Sequence, residues 1–236
     1  MRKICAIAKK ELKAYFQSSI AYIILIVTIT VFNIFFFLII DTNQEATLRD
    51  VFRVMEFLFV FIIPLLTMKT FAEEKASGTM EFLMTTPTTN TAIVLGKYLG
   101  SCIFFTLIVG LTLMYYFIIE HFGAPDRIAT FTGYFGIWLE GAMFLSIGLL
   151  ISSLTRSQVV AAICSYVVLF LLYFCISFVQ YTHGVVEALV RYMSTLIHAE
   201  NFSSGLITTA DLTYFLSTIV FCLVLTRISI ENRLWR

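Results

Sequence analysis

FAEEKASGTMEFLMTTP, residues Phe71 to Pro87, links two stretches apolar enough to sit in a bilayer. It gathers Glu73, Glu74 and Glu81 around a helix-breaking Gly78, so acidic and flexible residues collect where the chain leaves one apolar run and enters the next. Such a boundary, repeated along the chain, is the pattern of a polypeptide that crosses a membrane several times.

The composition around that stretch supports the same reading. Of 236 residues, 59% are hydrophobic and 13% charged, with 24 Phe, and the mean hydropathy is +0.91. A soluble domain with that content would lack a polar exterior, so the chain is expected to be an integral membrane protein. A span needs roughly 20 mostly apolar residues. Six windows qualify, at about 20–40, 51–71, 92–119, 131–152, 158–180 and 211–228. Their continuous apolarity excludes barrel strands, and backbone groups in lipid must be satisfied within each segment. The fold class is therefore all-α: a polytopic membrane protein, one transmembrane domain over 1–236. The basic start is followed by a span-length run without a small-residue cleavage site, which predicts a retained first span.

Six spans put both termini on one side of the bilayer, and basic residues select which. Segments on the terminal side hold Arg2, Lys3, Lys9, Lys10, Lys13, Lys69, Lys75, Lys97, Arg156, Arg227, Arg233 and Arg236, against Arg49, Arg53, Arg127 and Arg191 on the other. Twelve against four predicts cytoplasmic termini and a cytoplasmic connector at 72–90. Over 1–18, Ile4, Ile7, Ala8, Leu12, Tyr15 and Phe16 follow helical spacing opposite Lys3, Lys10, Lys13 and Gln17, which suits an interfacial helix on anionic headgroups. The outer connector, 181–210, carries a second amphipathic stripe from Val185 to Ile197, with Glu187 and Arg191 at i,i+4. Cys5, Cys102, Cys164, Cys175 and Cys222 lack metal-like spacing and read as packing residues. A formal charge of +1 gives no signal for nucleic acid, and none is expected as a partner.

Within the opening stretch, Thr70 and Glu73 match a capping box, which predicts a short helix restarting after the second span. Gly78 allows a bend, and Thr86-Pro87 marks another start or a turn. A short helix held between two spans is a lever, because pushing it moves both. Its glutamates suit arginine or lysine on a cytosolic partner, with Phe82, Leu83 and Met84 as an apolar anchor.

The run IIPLLTMKTFAEEKASGTMEFLMTTP, residues 62–87, resembles the signature of ABC type-2 exporter permeases, M-R-x-F-A-E-E-x-x-x-G-T-x-E-x-L-x-T-x-P. IGLLISSLTRSQVVAA, residues 147–162, is similar to that family's joint between the fourth and fifth spans. HAENFSSGLITTADLTYFLS, residues 198–217, resembles a short-chain subgroup that includes gliding-motility and nitrous-oxide-reductase maturation permeases. Two departures are Lys69, where the family carries Arg, and Glu140, where it is apolar. The resemblance implies a coupling helix in or beside Glu73, Glu74, Lys75, Gly78, Thr79, Glu81 and Phe82, docked in a groove of a separate ABC ATPase subunit. It also implies a bacterial cytoplasmic-membrane location and a second permease chain, identical or different. The chain has no G-x-x-x-x-G-K-[ST] loop, so ATP and Mg²⁺ are expected in the partner ATPase. No catalytic, cofactor or metal residue is expected here. A non-transporting scaffold driving an envelope process is the alternative.

Glu140 and Glu56 are the candidate functional residues inside the bilayer, since an intramembrane carboxylate is costly. Glu140 reads as about two turns from the outer end of its span, close enough to snorkel, or as a protonated, hydrogen-bonded carboxyl; Glu56 reads as paired with Arg53 and Arg49 at i−3 and i−7. Pro64 is expected to bend the second span. The small pairs Gly96 with Gly100 and Gly148 with Ser152 permit close helix approach. An intramembrane enzyme is disfavoured because neither G-x-S-x-G nor H-E-x-x-H accompanies His121, His183 and His198. A passive channel is disfavoured by the missing polar filter.

Overall fold

The computed structural model describes residues 2–43, 47–79, 88–181 and 183–231. They form ten α-helices and one 3-10 segment, with no strand among the described residues: α1 (Arg2–Gln17), α2 (Ser19–Asn43), α3 (Arg49–Ala76), α4 (Asn90–Thr112), α5 (Met114–Phe122), α6 (Arg127–Leu154), α7 (Gln158–Phe174), the 3-10 segment Cys175–Tyr181, α8 (Val185–Met193), α9 (Thr195–Ser203) and α10 (Thr209–Glu231). Six helical stretches are long and apolar enough to cross a membrane, including Asn90–Phe122 and Gln158–Tyr181, each of which takes in a break.

α3 and α6 are the centre of the bundle. They pack on each other, α7 and α10 flank them, and α2 lies at the rim with most of its apolar surface uncovered. Three glycines of α6 let neighbours approach: a Cβ would lie 2.2 Å from the Phe52 ring at Gly133, 2.4 Å from Phe202 at Gly136 and 2.1 Å from the Phe105 ring at Gly141. Close packing of this kind holds apolar helices together where lipid removes the hydrophobic drive. The bundle has a basal end, where α1, the start of α4 and the ends of α3, α6 and α10 meet, and a distal end carrying α5, α8, α9 and the starts of α3 and α6.

Two predicted spans are interrupted. The 92–119 window divides at Leu113 because the Tyr134 hydroxyl donates to the Thr112 carbonyl at 2.6 Å, and the Tyr116 N–H takes the Leu113 carbonyl at 3.1 Å. The 158–180 window remains α-helical to Phe174 and then tightens into the 3-10 turn. The predicted capping box at Thr70 is also corrected: α3 runs unbroken through Thr70 to Ala76, so no helix restarts there. Thr70 is buried against the basal contacts described below. The outer stripe over 185–197 becomes two elements. α8 keeps its apolar side uncovered, with Arg191 Nε 3.0 Å from Glu187 Oε1, whereas α9 turns in against α6 and α3. All five cysteines are free thiols.

Candidate functional site

At the basal end, the last turns of α3 are tied to α6 through a side chain placed inside the α3 hydrogen-bond ladder. Ser152 Oγ donates to the Met68 carbonyl at 3.2 Å and accepts from the Phe71 and Ala72 N–H groups, each at 3.1 Å. A hydroxyl between C=O and N–H of one helical turn softens that turn and cross-links it to the neighbour. One residue on, the Ser153 carbonyl accepts from Lys75 Nζ and from Ser229 Oγ of α10. One turn earlier in α6, Gly148 makes room for Thr67, whose Oγ1 lies 2.2 Å from where a Cβ would be. The two motif segments, 62–87 and 147–162, thus meet in space.

A buried cation ties the same turns to α1 and α4. Lys97 of α4 is 2% exposed; its Nζ lies 2.9 Å from Glu74 Oε1 and 3.3 Å from Glu11 Oε2, donates to the Thr70 carbonyl at 2.7 Å, and stands 5.1 Å over the Phe71 ring. Such a charge is tolerable in an apolar bundle because it is paired and hydrogen-bonded on every side. α1 reaches it because Gly96 and Gly100 present no side chain: a Cβ would lie 2.6 Å from Ile7 Cβ and 2.7 Å from Glu11 Cβ. Tyr15 completes the tie, donating to the Leu66 carbonyl at 3.0 Å and meeting Ser101 Oγ at 3.1 Å. Burial pushes the Glu11 carboxyl above its ordinary range, an effect that the Lys97 charge opposes and the Glu74 charge reinforces. Burial likewise pushes the Tyr15 phenol up to about 12, so it stays a donor. A cavity of about 530 Å³ opens between α1 and the end of α3, lined by Lys10, Lys69, Glu73 and Glu74 among others.

These contacts separate the predicted coupling residues. Glu73 is exposed, whereas Glu74 is turned inward onto Lys97. Lys75 is held by α6. Gly78 has φ 71°, a left-handed conformation that favours glycine and turns the chain as α3 ends. Thr79 Oγ1 donates to the Glu74 carbonyl at 3.3 Å and sits 2.9 Å from Ser77 Oγ. Glu81, Phe82 and the Thr86-Pro87 pair lie outside the described residues. Sequence reading missed the roles of Lys97 and Ser152. A lysine two turns inside an apolar span, beside a Gly-x-x-x-Gly pair, was the available signal for the first.

At the distal end, both intramembrane carboxylates lie inside the bundle. Glu140 lies thirteen residues into α6, roughly 20 Å from its start, so it does not snorkel; it is wholly buried, with the Thr195 hydroxyl as its hydrogen-bonding neighbour. Glu56 does not pair with Arg53 or Arg49. It faces inward at 5% exposure, while Arg53 faces outward and meets Asp50 at 3.8 Å and Glu200 at 3.7 Å. Positions three apart share a face only loosely, and here the core takes one residue and solvent the other. Pro64 is buried inside α3, and the nearby Phe61 carbonyl accepts from Tyr166 of α7 at 3.0 Å, so the loosened backbone is tied to that span. Another pair went unread in the sequence. His198 Nδ1 is 2.6 Å from Asp211 Oδ1 and its Nε2 is 3.0 Å from the Tyr192 carbonyl, which fastens α9 to α10 and α8.

Among the described residues, no group of three His, Cys, Asp or Glu side chains could hold a metal ion. No curated protein matches the chain. A family match does exist, and it runs from residue 5 to residue 231, across all six apolar helices: the chain belongs to the ABC-2 family transporter proteins, the membrane-embedded permease components of ABC transporters.

Proposed function

We propose that this permease is the membrane half of an ATP-driven exporter in a bacterial cytoplasmic membrane, with both termini and the 72–90 connector in the cytoplasm. ATP and Mg²⁺ bind a separate ATPase subunit, and two permease chains, identical or different, pair across the complex. α1 lies along the inner leaflet, its lysines among anionic headgroups. The connector docks on the ATPase through Glu73, with Glu81 and Phe82 in the roles that the resemblance implies.

The observation that supports this most is the pinning of the connector's root. Four helices, α1, α3, α4 and α6, converge on the turn from Thr70 to Lys75 through Lys97, Ser152 and the Ser153 carbonyl. A displacement delivered to the connector therefore reaches the two central spans together rather than being lost in a loose loop. ATP closure of the paired ATPases is the source of that displacement, and its free energy appears as different affinities for two arrangements of the permease.

The test is co-purification of the ATPase subunit with the full chain. Glu73→Lys, on an exposed side chain, is expected to leave the permease folded and to lose both the ATPase and transport. Wild-type docking and transport by that variant would overturn the assignment. A reporter fused after Arg236 and found outside the cytoplasm would overturn the orientation.

A further inference from the structure

α8 divides its side chains by character. Val185, Val186, Leu189, Tyr192 and Met193 fall within about a third of the helix circumference, and each is at least half exposed. Glu187 and Arg191 stand on the opposite side, where Arg191 Nε meets Glu187 Oε1 at 3.0 Å. No residue of α8 is buried. Five large apolar side chains side by side form the kind of patch that marks an interface.

Continuity with the lipid-facing surface says what covers it. Val160, Ile163, Val167, Leu171, Phe174 and Phe178 recur every three or four residues along α7 and into the 3-10 segment, and all are exposed, which is the side a span turns to lipid. Gly184, at φ 66°, then turns the chain, and α8 packs on that 3-10 segment. Depth agrees. α7 has 17 residues and so reaches roughly 25 Å through a hydrocarbon layer about 30 Å thick. Cys175 follows at once, and its Sγ donates to the Val190 carbonyl of α8 at 3.6 Å. The Tyr214 hydroxyl, five residues into α10 and about 8 Å from its distal end, donates to the Met193 carbonyl at 2.9 Å. Both ties set the last turn of α8 just inside the distal edge of the hydrocarbon, the level at which amphipathic helices rest.

We propose that α8 is a lipid anchor, its apolar side lying in the acyl chains of the leaflet at the distal end and Glu187 and Arg191 among the hydrated headgroups. Tyr192 at the edge of the patch and the exposed Tyr181 before it suit the boundary, ring in the apolar layer and hydroxyl toward water. The anchor is not loose: the Tyr192 carbonyl is held by His198 of α9 and the Met193 carbonyl by Tyr214 of α10, so what lipid does to α8 is felt by the last span. The proposal rests on the membrane-crossing helices and not on the coupling residues, and its test needs no ATPase, so the two readings fail separately.

The full chain is reconstituted in proteoliposomes of palmitoyl-oleoyl phosphatidylglycerol with a photoreactive side chain on either side of α8, as Leu189→p-benzoylphenylalanine or Arg191→p-benzoylphenylalanine. Irradiation and intact-protein mass spectrometry should give several-fold more phospholipid adduct for the first than for the second. Leu189→Trp measures the depth. The emission it adds to that of wild type should be quenched more by lipid brominated on the headgroup-proximal part of its acyl chains than by lipid brominated near the terminal methyl. Leu189 and Arg191 are both exposed, so each variant is expected to fold, and thermal unfolding checks this. Cross-linking of the Leu189 probe to a second copy of the chain in place of lipid would assign the face to dimerisation and overturn the proposal. Equal adducts from the two probes, or no difference in quenching between the two brominated lipids, would overturn it as well.

Discussion

Lys97 at the basal end is 2% exposed and meets two carboxylates, a carbonyl and an aromatic face; Glu140 at the distal end is fully buried beside the Thr195 hydroxyl and, among the described residues, is paired with no cation. Both are ionisable side chains inside an apolar bundle, yet one is compensated entirely by the chain and the other is not. A compensated charge fixes geometry, because any relative movement of α1, α3 and α4 would break its pairs. A buried carboxyl without an opposite charge costs free energy and fixes no such geometry. The base of the molecule is thus built as a charged joint between helices, and the distal end is not.

The contrast can be broken first at Lys97. Lys97→Ala leaves the half-buried Glu11 and Glu74 without the counter-charge they share, and a loss of up to about 3–5 kcal/mol is expected in chemical or thermal unfolding of the detergent-solubilised chain. Adding Glu11→Gln and Glu74→Gln to that variant should recover most of the loss. A Lys97→Ala protein as stable as wild type would show that the joint is not held by charge.

Ser152→Ala probes the same joint without charge. It removes the bond to Met68 and two acceptor contacts, and a loss of about 0.5–1.5 kcal/mol is expected, with faster amide exchange at Phe71 and Ala72. Unchanged exchange there would mean that the α3 ladder does not depend on α6. At the distal end the sign reverses. Glu140→Gln breaks no ion pair and keeps an acceptor for the Thr195 hydroxyl, so unfolding should show no loss, and at most a gain of about 1 kcal/mol. A loss comparable with that of Lys97→Ala would erase the difference between the two ends.

The smallest effect concerns pH. The Glu11 carboxyl is raised above its ordinary 4.5 by burial, so the folded chain binds its proton more tightly than the unfolded chain does. The stability linked to this group is complete below 4.5 and is lost as pH rises through the folded value. Wild type should therefore lose stability relative to Glu11→Gln as pH increases from 4.5 toward neutrality, and parallel profiles would break this expectation.

The six apolar helices and the all-α class were readable because membrane insertion is a local property: each 20-residue window carries its own hydrophobicity. The two helix interruptions were not readable. The break at Leu113 depends on the Tyr134 hydroxyl, which lies twenty-two residues from Thr112 in sequence and beside it in space. Glu56 and Arg53 illustrate a different limit. Their spacing allows an ion pair, but the packing around α3 decides which residue faces the core, and it separates them.

The sequence by itself determined that this chain spans a membrane by helices, and its motifs at 62–87 and 147–162 pointed to its family. Only the tertiary structure decided that those motifs touch through Ser152, that Lys97 rather than a connector residue binds α1 to the bundle, and that Glu140 meets Thr195, far from it in sequence, instead of solvent. The physical reason is common to all three: burial cost and hydrogen-bond satisfaction belong to groups distant in sequence, and what a buried charge does depends on what the fold brings within about 3 Å of it.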